Sequence, residues 1–403
     1  MSDERVEDRH PSPPKRQLSP SPDTTRPTKL PKSEPPRVPA EQSEAAMGQR
    51  NPGLQRYLVA VEYIGTRFSG SQKQPTCRTV VGALEEAFQK FIGQPVPVHC
   101  SSRTDAGVHA LSNVCHVDVE RISKRKLGEV LPPHDPGVVR RAVNHFLQKN
   151  EGDIMVTDVR CVPPDFHARF KALERTYHYR ILSGPETLSA FEKDRAWHVP
   201  EDLDIEAMKR ACSILVGHHD FSSFRAAGCQ ANSPMRTLDE LAVTEMLPAL
   251  YFPSIMERSS KKLLDLDACR SFSTSSDASD VKTVKSENGQ EFGHRPRHRC
   301  FVVTARARSF LYHQVRLMVG VLKSVGIGDL TVSDGLIYLL LFSLYQVALM
   351  HVVSCPISGI IRAYIGIIKF AVEMILDAKT VTAASPMAPA CGLYLGNVKY
   401  DLP

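Results

Sequence analysis

The chain has no Cys-x-x-Cys pair, no glycine-rich phosphate loop and only one tryptophan in its 403 residues. Those absences exclude a zinc ribbon, a dithiol redox pair and a Walker-type nucleotide cradle. No Ser-His-Asp order comes with the sharp turn that a nucleophilic serine requires. Ten cysteines are spread singly from Cys77 to Cys391, as expected of free thiols in a reducing compartment. No apolar leader opens the chain, and Asp3, Glu4, Glu7 and Asp8 speak against an acid-poor transit peptide. His294, His298 and Cys300 share part of a zinc spacing, but Arg295, Arg297 and Arg299 would repel the ion. His218 and His219 are adjacent, and adjacent histidines seldom aim at one ion. No metal site is therefore expected.

Hydrophobic residues make up 42% of the chain, enough for one large or two medium folded domains. Fifty Lys plus Arg against forty-four Asp plus Glu give a formal charge of +6, a lean toward an anionic partner. Residues 1–54 are rich in Pro, Ser, Lys, Arg and Glu and have few large apolar side chains, so a disordered basic tail is expected. Its clusters at Lys15-Arg16 and Arg26 to Lys32 suit nuclear import or non-specific RNA contact. From Arg56 the patterning alternates between strand and helix. Strands are expected at 57–63, 96–100, 114–119, 154–162, 176–182, 237–246 and 300–307, and helices at 80–88, 140–147, 205–216 and 311–325. This order predicts an α+β fold with a largely antiparallel or mixed sheet. An N-terminal half spans 55–200 and a C-terminal half 201–403. The Ser- and Asp-rich stretch 257–297 is an expected exposed insertion.

The segment Ser102-Arg103-Thr104-Asp105-Ala106-Gly107-Val108-His109-Ala110 sets one carboxylate beside a cation in a turn, and Gly107 is free to take positive φ. Alone, the segment suits an Asp that caps the turn and pairs with Arg103 as well as it suits a catalytic carboxylate. A reacting carboxylate needs a cation to pair with and an aromatic to hold a flat substrate. Tyr177 opens a strand after Arg175-Thr176, and Phe310 to Arg316 begins an expected helix on which Arg316 shares a face with Tyr312.

These segments, in this order, resemble the TruA family of tRNA pseudouridine synthases. Tyr63 to Gly70 resembles its opening strand and turn, and Arg103 to Ala110 its catalytic segment. Ala142-Val143-Asn144, Asp165 to Arg169, Arg175-Thr176-Tyr177, His219 to Phe224, Phe310 to Arg316 and Gly392 to Leu395 extend the register. The resemblance covers about 56–334 and 375–400 apart from the Ser-rich insertion. It implies two related α+β halves around a central sheet with a cleft between them. It also implies an isomerase that turns uridine in tRNA into pseudouridine without a cofactor. Asp105 would attack the ribose C1′ or abstract a ribose proton, Arg316 would pair with it, and Tyr177 would stack on the extruded base. Arg103, Arg169, Lys171, Arg175, Arg225 and Arg236 are the candidate RNA contacts. A homodimer is compatible with the resemblance, and the tail suits a nuclear or cytoplasmic location.

Two departures stand out. Ser71 occupies the position where the family commonly has a tryptophan, an expected softening of packing. Gly335 to Ile361 holds no Lys, Arg, Asp or Glu, and 336–353 taken alone has the composition of a membrane span. Ala388 to Tyr400 reads as a core strand of the same domain, so no membrane crossing is expected. The apolar block 335–374 is instead expected to interrupt the last helix, separating Ser333-Asp334 from Ile375 to Lys379, and to loosen the docking of the final strand. An RNA-binding form with impaired turnover is the second reading.

Overall fold

The computed structural model describes residues 53–246, 298–329 and 356–402, apart from 124, 127, 150, 151, 382 and 385. The basic tail up to residue 52, the Ser-rich insertion and positions 335–355 of the apolar block lie outside the described residues. Ten strands are described: β1 Leu54–Tyr63, β2 Val98–Cys100, β3 His109–Glu120, β4 Ile154–Val162, β5 Glu174–Ser183, β6 Trp197–Val199, β7 Gly217–Asp220, β8 Met235–Met246, β9 Arg299–Ala307 and β10 Leu393–Lys399. The described helices are α1 Val80–Ile92, α2 Pro136–Gln148, α3 Ile205–Leu215, α4 Gln314–Gly326 and α5 Pro356–Ala378.

All ten strands join one mixed sheet in the order β4-β1-β3-β10-β5-β9-β8-β7, with β2 added to β3 and β6 to β5. The parallel pairs are β3 with β10 and β5 with β6. The architecture is therefore the α+β sheet that the strand and helix order predicts. In β5, Tyr177, Tyr179 and Ile181 alternate into the core, each 8% exposed or less. Helix α1 starts where Thr79 accepts the Gly82 N–H at 3.2 Å, and α2 starts behind Asp135 with Pro136 in its first turn. Helix α2 packs on β4 and α1, while α3 packs on β8, α4 and α5.

Several expectations are corrected. The helix expected from Leu311 begins at Gln314, because His313 takes a left-handed conformation at φ 62°. Tyr312 thus lies before the helix, 46% exposed, and shares no helical face with Arg316. Helix α5 runs unbroken from Pro356 through Ile375 to Ala378, across the end expected for the apolar block. Within it Ile368, Ala371, Val372 and Leu376 are buried at the spacing of one helical face. The final strand is docked rather than loose. Leu393 to Lys399 hydrogen-bonds to β3 on one side and to β5 on the other. The reading of an impaired RNA-binding form rested on poor docking of that strand and finds no support. No described helix is long and apolar enough to cross a membrane.

Candidate active site

Asp105 sits in the turn that leads into β3, and the fold fixes that turn from three sides. Gly107 takes φ 79°, the conformation anticipated for it, and the Val108 N–H donates to the Asp105 carbonyl at 3.2 Å. Before the turn, Ser71 and Thr104 are buried and clamp each other. The Ser71 N–H donates to the Thr104 carbonyl at 3.0 Å, and the Thr104 N–H donates to Ser71 Oγ at 2.8 Å. Ser71 therefore does more than soften packing, since its hydroxyl holds the backbone next to Asp105. Beneath them Asn113 is fully buried, donating to Tyr63 Oη and the Ser102 carbonyl, both at 3.2 Å, and accepting from Ser101 Oγ at 3.1 Å. The Tyr63 and Thr104 hydroxyls share a hydrogen bond of 2.8 Å.

After the turn, His109 locks β3 in place. Its Nδ1 accepts the Gly65 N–H at 3.0 Å, so the ring proton belongs on Nε2, which faces the Asp194 and Cys391 carbonyls at 3.1 Å. Burial holds this imidazole below its usual pKa, consistent with a neutral ring stacked on Tyr394. Gly65 is required by contact. A Cβ there would lie 2.0 Å from the Val108 carbonyl oxygen.

Two donors from the start of α4 reach the Asp105 carboxylate. His313 Nε2 lies 3.1 Å and Arg316 Nη1 3.5 Å from Asp105 Oδ2. Both side chains are mostly buried, whereas Asp105 keeps 28% of its side chain exposed, which is access enough for a substrate. Burial lowers the His313 pKa, opposed by the Asp105 charge, so a neutral ring donating from Nε2 fits the geometry. Arg316 is anchored on its other side: Nε donates to the Ala388 carbonyl at 2.8 Å, and the Ala388 N–H donates to the Arg316 carbonyl at 3.1 Å. Tyr177 lies in β5, buried, with the Phe310 ring edge-on at 5.1 Å. Burial pushes its phenol up to about 12, so the hydroxyl keeps its proton at neutral pH. Strand pairing explains how the pieces meet, for Leu395 of β10 lies between Ala110 of β3 and Tyr177 of β5.

The candidate RNA contacts divide in two. Arg103, Arg169 and Lys171 are exposed. Arg103 reaches Gln230 Oε1 at 3.3 Å, and Lys171 lies 3.8 Å from Asp165. Arg225, half-buried, follows a short 3-10 turn at Ser222–Phe224. Arg236 turns onto its own loop and donates to the Ser233 and Met235 carbonyls. Arg175 is the clearest departure from a phosphate contact. Its Nε donates to Ser102 Oγ at 3.0 Å, Nη2 to the Ser101 and Arg169 carbonyls at 3.0 and 3.1 Å, and Nη1 to the Arg308 carbonyl. Four of its five donors are spent inside the protein, where they tie the 169 loop to the Asp105 segment.

Of the histidines considered as metal ligands, His294 lies outside the described residues. His298 Nε2 meets the Glu186 carbonyl at 2.7 Å, and His218 and His219 bond Thr237 and the Val216 carbonyl. Sequence reasoning passed over His313 inside the Phe310 to Arg316 segment. The segment carries no periodic signal for it, because His313 lies before the helix in a left-handed conformation. Asn113, Ser71 and Ser102 gave none, because their partners are distant in sequence.

Comparison with known proteins agrees with this arrangement. The family model described as tRNA pseudouridine synthase matches residues 59–171, 211–258 and 260–340. The tRNA pseudouridine synthase A of a Methylobacterium species is 35% identical over 350 residues, covering 87% of this chain and 99% of its own length. Those of Paramagnetospirillum magneticum and Bartonella tribocorum are 34% and 31% identical, over 86% of this chain in each case and 96% and 100% of their own lengths. A carboxylate turn, a buried tyrosine and an arginine brought to one seam of a mixed sheet, in a chain matched over most of its length, establish that this chain belongs to the TruA family of tRNA pseudouridine synthases.

Proposed function

We propose that the chain isomerises uridine to pseudouridine in tRNA, with Asp105 as the reacting carboxylate. The observation that carries this reading is the Asp105 carboxylate held by His313 and Arg316 at the mouth of the β3 turn. In the overall change the N1–C1′ bond breaks, the C5–C1′ bond forms, the C5 proton leaves and N1 gains one. Atoms and electrons balance without a co-reactant. Asp105 enters either as nucleophile at C1′ or as base toward a ribose proton, and the geometry suits both. Arg316 and His313 grip one carboxylate oxygen and leave the other to meet the ribose. Tyr177 offers its ring as a wall for the freed uracil and its protonated hydroxyl as a donor. The target uridine must leave its stack to reach Asp105. The exposure of Arg103, Arg169 and Lys171 supports them as contacts to the phosphates around it, with Arg225 as a further candidate. Arg175 serves the same end indirectly, by holding the Asp105 segment. The relatives bear the name tRNA pseudouridine synthase A, which supports tRNA as the substrate.

The basic clusters of the tail support a nuclear or cytoplasmic location. A homodimer is part of the proposal and is checked by light scattering. Activity is tested by incubating the purified chain with unmodified tRNA transcripts and measuring nucleoside composition. Loss of uridine matched by gain of pseudouridine is expected, and no gain on well-folded transcripts contradicts the reading.

A further inference from the structure

The loop at 163–171 carries a feature that Asp105 chemistry does not use. Phe170 is 72% exposed, while the loop beneath it is fastened at many points. Arg56 Nη1 donates to the Phe166 carbonyl at 2.9 Å, Tyr400 Oη to the Ala168 carbonyl at 2.6 Å, and Arg175 to the Arg169 carbonyl. The Ala168 N–H donates to His116 Nδ1 at 3.2 Å and the Arg169 N–H to His167 Nδ1 at 3.1 Å. Rings then follow one another along this face. His99 stacks on His116 at 5.0 Å, His116 meets His167 at 4.6 Å, and His167 meets Phe170 at 4.3 Å. His116 and His167 are neutral. Burial is the main cause that holds His116 down at about 4 and His167 below the usual imidazole range, and both rings accept backbone protons at Nδ1. The Arg169 guanidinium stands 5.9 Å from the Phe170 ring centre.

A fold gains nothing from a large phenyl kept in water on a fastened loop. Its surroundings match one ligand chemistry, a flat aromatic ring attached to an anion. The row of rings offers a stacking face, and Arg169 offers the countercharge. The position fits as well, because Arg175 bonds the Arg169 carbonyl and the Ser101–Ser102 backbone and side chain that lead to Asp105. Resting on the RNA-modifying reading above, we infer that Phe170, with Arg169 beside it, is a stacking platform for an unpaired base of the RNA substrate outside the catalytic pocket. Such a platform holds one base while its neighbour is turned into the site.

The test compares Phe170→Leu and Phe170→Tyr with the full wild-type chain on an unmodified tRNA transcript. Base-aromatic stacking of the usual strength predicts that Phe170→Leu raises KM about tenfold with kcat within about twofold, and that Phe170→Tyr stays near wild type. Thermal melting of both variants should match wild type, since the ring is exposed. An unchanged KM in Phe170→Leu, or an equal rise in Phe170→Tyr, overturns the platform. A wild-type dimer that dissociates on Phe170→Leu also overturns it, by making this face a contact between copies. Failure of the wild-type chain itself to form pseudouridine is a separate outcome and counts against the proposed function instead.

Discussion

Both donors to Asp105 reach the same carboxylate oxygen, so each restricts where the carboxylate points. Arg316 acts as a bridge, with Nη1 on Asp105 and Nε on the Ala388 carbonyl. A lysine has one point of charge and cannot make both contacts. Arg316→Lys is predicted to lower kcat by roughly ten- to a hundredfold with a smaller change in KM, in steady-state assays on tRNA. His313→Ala removes a donor to a charged acceptor and should cost about tenfold in kcat, with partial recovery in His313→Gln, which keeps an N–H. A second residue-scale effect concerns stability. His116 has its pKa at about 4 in the fold, lowered chiefly by burial and then by Arg56, against 6.5 in an unfolded chain. Below pH 6.5 the unfolded chain takes up a proton that the folded one refuses, so this contribution is complete above 6.5 and is lost as pH falls toward 4. At pH 5 the loss amounts to about 2 kcal/mol. Urea midpoints measured at pH 7 and pH 5 should show that fall, and His116→Gln should flatten it.

At the scale of elements, the contact between the 65–67 turn and β3 is tight enough to predict a sign. Gly65→Ala places a Cβ 2.0 Å from the Val108 carbonyl oxygen, so the backbone three residues after Asp105 must move. Melting temperature and kcat should both drop, and an unchanged pair of values would contradict the described packing. In α5, Val372 is fully buried. Val372→Asp should destabilise by roughly 3 kcal/mol or more in chemical denaturation, because it buries a carboxylate in an apolar contact. The elements differ in how far the sequence reveals them. Strand β4 matches the expected 154–162 at both ends, since a run rich in β-branched residues is bounded there by Gly152 and by Pro163-Pro164, even though its alternation breaks at a register shift near Thr157. Strand β6, three residues long, carries too short a pattern to register. The start of α4 was misplaced by three residues because a left-handed His313 has no sequence signature comparable to glycine. Helix α5 is expected as an interruption because the charge-free run 335–361 separates Ser333-Asp334 from Ile375 to Lys379, although Arg362, Lys369, Glu373 and Asp377 leave one apolar face along its C-terminal part.

At the scale of the whole molecule, the parallel pairing of β3 with β10 is what assembles the site. It places the Asp105 turn, Tyr177 of β5 and the Ala388 segment that anchors Arg316 around a single seam, although they span 283 positions of sequence between Asp105 and Ala388. Asp105, Tyr177 and Arg316 stand out in the sequence only through the joint resemblance of their segments to the TruA family, since taken singly each suits a turn cap, a core aromatic or a surface charge. The internal use of Arg175 is not legible, since four carbonyl and hydroxyl acceptors from three separate segments decide it, and no local pattern records their meeting. The most direct test of this assembly is Asp105→Asn, which keeps the shape of the side chain and removes its charge. Pseudouridine formation and tRNA affinity should be measured together on the full chain. Loss of turnover by at least about a thousandfold with affinity within a few-fold of wild type is expected of a reacting carboxylate. Retained turnover in Asp105→Asn would contradict the role given to Asp105, and with it the proposed mechanism.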